Sequence, residues 1–220
     1  MEFFLRQVYP WLANVSMVSP LIPFIAGFFL FRSKKSLQFK LLFLFVTLIV
    51  ASEAAGKITI LLGTKNNIWL LHIYTALEYL LLAAIYYYSF KSSLIKKGII
   101  ASVVVLLVFS IVDATLIDGV HLMNSTAKMA ANSMLIVLAV LYFYKVANDL
   151  TITYLDSDAI FLLSCGVLIY KAGTSMSFAL FNQALAQSYD AARICITVLL
   201  VLNILFNTAL VFVLRKTSVC

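Results

Sequence analysis

Charge is scarce in this chain: Asp, Glu, Lys and Arg make up 11% of its 220 residues, while apolar residues make up 64%. Soluble domains carry about 25% charged and about 45–50% apolar residues. So little polar surface cannot cover a water-facing globule, and the composition places the chain in the membrane class. Histidine is scarcer still, with only His72 and His121. A catalytic zinc takes about three protein ligands plus water, and no H-E-x-x-H spacing is present, so no metal and no cofactor is expected. Cysteine is limited to Cys165, Cys195 and Cys220, with no framework spacing. Two of them fall in apolar runs, where a thiol is a small hydrophobe, and a terminal cysteine is not a C-a-a-X site. No early apolar run leads to a small-residue cleavage site, so no removable signal peptide is expected. A nucleophile elbow for serine chemistry is also missing. The last apolar run, "ICITVLLVLNILFNTALVFVL", has no lysine at mid-depth for a retinal Schiff base, and Lys171 lies one helix too early.

What the chain has in quantity is long apolar runs. A membrane helix needs about 20 mostly apolar residues, and on that criterion seven helices are expected, at 10–31, 40–62, 67–90, 98–118, 124–147, 158–182 and 190–214. The connections are too short for a soluble domain, so residues 1–220 read as a single all-α, seven-transmembrane helix bundle. The positive net charge of +7 does not point to nucleic acid, because most basic residues sit between apolar runs where topology explains them. Arg32, Lys34, Lys35, Lys40, Lys91, Lys96, Lys97, Lys145, Arg215 and Lys216 flank one side, against Arg6, Lys65 and Arg193 on the other. That bias predicts the N-terminus outside and the C-terminus cytoplasmic. Trp11 and Trp69 near the outer surface, and Tyr86, Tyr87, Tyr88, Tyr142 and Tyr144 near the inner one, read as aromatic belts. Pro10, Pro20 and Pro23 should kink the outer half of the first helix or delay its start.

Polar groups inside these runs are the candidate functional residues, since a central Asp, Lys or Arg costs about 2.5–3.5 kcal/mol and turns inward toward partners. At about 1.5 Å per residue, Glu53, Glu78, Lys171 and Asn132 fall in one layer just outside the midplane. Lys57, His72, Asp113, Lys128 and Arg193 lie nearer the outside. Glu53 and Lys57, Lys128 and Asn132, and Lys171 and Ser175 are each one turn apart and share a face. His72, Thr75 and Tyr79 line one stripe with Glu78 beside it, and Asn203 and Asn207 share a face of the last helix, deeper in the membrane. The inner third is almost free of charge. An outward-facing polar chamber over a dry floor is the expected geometry. The plainer alternative is that these groups only hold helices together, at about 0.6–2 kcal/mol per hydrogen bond.

The segments "NNIWLLHIYTALEYLLLAAIYYYSF", residues 66–90, and "YPWLANVS", residues 9–16, resemble small seven-transmembrane proteins of Bacteroidota-type bacteria, some associated with sensor histidine kinases. The chain also looks broadly like the seven-helix membrane sensor regions fused to signalling enzymes. This resemblance implies a multi-pass protein of a bacterial inner membrane with a sensory or accessory role, signalling to a separate partner such as a histidine kinase. The expected function is a non-enzymatic sensor or ligand-binding protein for a small molecule or ion. The alternatives are an ion or proton pathway through the carboxylates and lysine, and a lipid-modifying enzyme using Glu78 and His72.

Overall fold

The computed structural model describes residues 4–31, 36–64, 66–117, 124–148 and 155–217. Arg32, Lys34, Lys35, Lys65, His121 and Cys220 lie outside the described residues. All regular structure among the described residues is helical: α1 (Tyr9–Val18), α2 (Leu21–Phe31), α3 (Leu37–Leu61), α4 (Trp69–Ser89), α5 (Ser93–Val112), α6 (Ser125–Asn148), α7 (Ala159–Gln187) and α8 (Tyr189–Thr217). Short π-helical turns at Phe4–Val8 and Asp113–Ile117 extend α1 and α5. Among these residues seven stretches are long and apolar enough to cross a membrane, α1 and α2 together making the first. The last two spans outrun the expected ends: α7 and α8 are 29 residues each, about 44 Å at about 1.5 Å per residue, against a hydrocarbon core of about 30 Å.

The ends of the helices follow local chemistry. Ser36 Oγ accepts the Phe39 N–H to cap α3, and Asp158 Oδ1 accepts the Ile160 and Phe161 N–H groups to cap α7. Gly63, at φ +83°, stops α3 in a Schellman turn, with Gly63 N–H donating to Ile60 O and Thr64 N–H to Thr59 O, both at 3.0 Å.

Proline breaks the first span at Ser19 and Pro20, as its missing donor requires. In an unbroken helix Ser16 O and Ser19 O would accept from the N–H groups of residues 20 and 23, which proline lacks. Instead Ser19 Oγ donates to Ser16 O at 2.7 Å, and Ile22 N–H donates to Ser19 O at 3.1 Å. Pro10 sits where the π-helical turn Phe4–Val8 passes into α1.

Packing arranges the spans in a ring. α8 packs on α1, α2 and α7; α7 on α6; α6 on α4; α4 on α3; and α2 closes the circuit on α3. α5 lies outside it, against α4 and α6. Gly173 lets α7 approach α8 closely, since a Cβ there would come within 2.6 Å of Leu202 Cδ1. Apolar side chains face outward on every side, Phe29 at 73% and Leu94 at 80% exposure among them. Such a surface is stable against lipid and not against water.

The aromatic belt holds only in part. Trp11, Trp69, Tyr88 and Tyr144 face outward, but Tyr86 and Tyr142 turn into the core. Three consecutive tyrosines, each about 100° apart on a helix, cannot all face lipid. The inward pair places its hydroxyls on Ser164 Oγ at 3.1 Å and Asp158 Oδ2 at 2.8 Å. Around them Phe39, Leu42, Phe45, Leu82 and Ile85 fill that half of the bundle with fully buried apolar groups.

Candidate functional site

Two features occupy the other half, side by side. One is an ion triad between α4, α6 and α7. Glu78 Oε2 lies 2.5 Å from Lys128 Nζ, and Glu78 Oε1 lies 2.7 Å from Lys171 Nζ. All three side chains are at most 4% exposed. A carboxylate held by two ammonium groups leaves the triad with one surplus positive charge, sealed from solvent. The neighbouring aromatic rings moderate it: Lys128 Nζ stands 4.8 Å from the Tyr74 ring centroid, and Lys171 Nζ 5.0 Å from that of Tyr170. The Tyr74 hydroxyl donates to Glu78 Oε1 at 3.2 Å.

The second feature is a partly open cavity of about 530 Å³ lined by α1, α3, α4, α7 and α8. Tyr74 and Tyr170 form the wall it shares with the triad. Ser52 and Glu53 of α3 and Ala13 of α1 also line it, while Ser16 and Asn203 contribute polar atoms where the first span breaks. Asn203 Nδ2 donates to Ser16 Oγ at 3.0 Å and Asn207 Nδ2 to Ser19 Oγ at 2.9 Å. The polar groups of α8 thus engage the serines flanking the proline break.

The candidate residues therefore separate into several settings. Of the charged candidates Glu53 alone lines the cavity; it is half-buried, and among the described residues no cation lies within 4 Å of it. Lys57, one turn along, is exposed. Glu78, Lys128 and Lys171 make the triad. Lys128 joins it although its backbone sits nearer the helix end, because a lysine stem reaches down past a full turn. Asn132 is fully buried beside it, with Nδ2 3.1 Å from Ser175 Oγ and 3.4 Å from Thr174 Oγ1. Ser175 Oγ in turn donates to Lys171 O at 2.7 Å. His72 is buried on α4, and neither ring nitrogen has a hydrogen-bond partner among the described residues. Asp113 is fully buried where α5 passes into its π-helical turn. Arg193 is half exposed, 3.6 Å from Asp190 and stacked near the Tyr9 ring.

Sequence reasoning missed Tyr74 and Tyr170, the residues that join triad to cavity. Tyr74 carried a usable signal, four residues before Glu78 on the same face. Tyr170 carried none, because a tyrosine next to a lysine in an apolar run has no distinguishing spacing. No group of three or more potential metal ligands is found among the described residues.

Fold and site together define a class, an all-helical chain with seven candidate membrane spans and a cavity backed by buried charge. No family model, no curated protein and no solved structure matches the chain.

Proposed function

We propose that this protein is a seven-helix membrane sensor or ligand-binding protein without enzymatic activity. Its N-terminus lies outside and its C-terminus in the cytoplasm of a bacterial inner membrane, as the basic residues between spans favour. The observation that carries the reading is the cavity of about 530 Å³ with the Glu53 carboxylate on its wall, within the about 300–1,000 Å³ range of small-molecule sites. Tyr74 supplies the route from occupancy to signal. Its ring lines the cavity while its hydroxyl holds Glu78, which ties α4 to α6 and α7. A ligand pressing on Tyr74 changes the packing of three helices at once, and a separate partner such as a histidine kinase reads the change at the cytoplasmic ends.

A pathway for ions or protons is the competing reading, and flux separates the two. Purified protein in vesicles is expected to conduct neither protons nor alkali cations above the lipid background. Among the described residues the far half is filled by the fully buried apolar groups Phe39, Leu42, Phe45 and Leu82, and the inward tyrosine hydroxyls there are taken up by Ser164 and Asp158. Flux that disappears in Glu53→Gln and in Glu78→Gln would replace sensing by transport.

A further inference from the structure

We propose that the cavity takes a lipid-soluble organic cation, an amine or quaternary ammonium on an apolar body, with its charge against Glu53. This rests on the cavity being a ligand pocket and goes on to say what chemistry the pocket selects. Among the described residues Glu53 is the one charged side chain on its wall. The remaining polar groups are hydroxyls and amides, from Ser16, Ser52, Asn67, Tyr74, Tyr170 and Asn203. The interior cations that an anionic ligand would seek are already committed. Lys128 and Lys171 are at most 4% exposed and both hold Glu78, and Lys57, exposed one turn along α3 from Glu53, is not among the wall residues. An incoming carboxylate or phosphate would therefore meet a like charge with no cation on the wall to offset it, which a low-dielectric site penalises heavily. An incoming ammonium would give Glu53 a counter-ion inside the cavity, which the exposed Lys57 does not supply. The rest of the lining, including Met17, Phe178, Phe181 and Leu200, is apolar and aromatic, which suits a hydrophobic body.

The cavity falls where the first span is parted from α3: α1 packs on α8, whereas its continuation α2 packs on both α8 and α3, and Ala13 and Met17 of α1 share the cavity lining with Ile49 and Glu53 of α3.

Three probes of one shape test the assignment on the full chain in nanodiscs by calorimetry: 4-phenylbutylamine, 4-phenylbutanol and 4-phenylbutyrate. The amine is expected to bind saturably and about tenfold or more tighter than the alcohol, the margin of a charge-assisted contact, with the carboxylate weakest. Glu53→Gln should bring the amine down to the alcohol's affinity and leave the alcohol unchanged. Ala13→Trp, which fills the cavity, should abolish saturable binding of all three. Equal affinity for amine and alcohol in the native protein, or preference for the carboxylate, overturns the cation assignment and leaves the pocket standing. Binding that survives Ala13→Trp, or no saturable binding of any probe, overturns assignment and pocket together. The comparison of the three probes on the native protein decides the matter even if Glu53→Gln fails to fold.

Discussion

Glu78→Leu is expected to destabilise the protein by about 3–5 kcal/mol, because it strands two buried ammonium groups. Lys128 and Lys171 are 4% and 0% exposed and sit on either oxygen of that carboxylate. Neither can reach water without moving a helix, and their mutual repulsion would no longer be screened. Reversible unfolding in mixed micelles, followed by circular dichroism, measures the loss. Lys171→Met should cost less, since Glu78 keeps Lys128 at 2.5 Å and the surplus charge disappears. The triple replacement Glu78→Leu, Lys128→Met, Lys171→Met should recover most of the native stability, since apolar groups of similar volume commonly match a buried ion network. If Glu78→Leu alone is neutral, the triad is not closed as described.

A second large effect is expected where the last span meets the first. Replacing Asn203 and Asn207 together by leucine should cost about 1–3 kcal/mol by the same measurement, from hydrogen bonds worth about 0.6–1.7 kcal/mol each in membranes. The double change removes the amide donors to Ser16 Oγ and Ser19 Oγ. It leaves Ser19 Oγ as donor to the Ser16 carbonyl that Pro20 cannot serve. Pro20→Ala in the native background should be far milder, because it restores a backbone donor. If the paired leucines stabilise the protein instead, the asparagines are not a structural clasp and belong to the cavity's own chemistry.

The sequence carried the spans because length and apolarity suffice to mark a membrane helix, and the observed ends differ by a few residues at most positions. α7 and α8 run further because their terminal turns, "QALAQ" and "RKT", carry polar or charged side chains yet are still helical. The break at Ser19 and Pro20 was legible from the missing donor alone. Which face of each helix turns inward was far less so. Helices apolar on every side, such as α3, give no periodic stripe to orient them. Depth counted along the backbone therefore grouped Glu53 with Glu78 and Lys171, although Glu53 lines the cavity and the other two are buried in the triad. It also left Lys128 above them, because side-chain reach is not visible in spacing. The pairing of Tyr74 with Glu78 was within reach of a one-turn argument. The wall made by Tyr170 required the rotation of α7, which only packing sets.

Solvent access to the cavity, against a sealed triad behind it, is the claim on which the functional account stands. It is tested by replacing Cys165, Cys195 and Cys220 with serine and placing single cysteines at Ser52, on the cavity wall, and at Thr174, 1% exposed beside the triad. A membrane-impermeant thiol reagent reacts only where water can form the thiolate. Added to intact cells, it should modify the cysteine at position 52 and leave the one at 174 untouched. Modification of neither, or of position 52 only when the reagent reaches the cytoplasmic face, would contradict an outward-opening pocket.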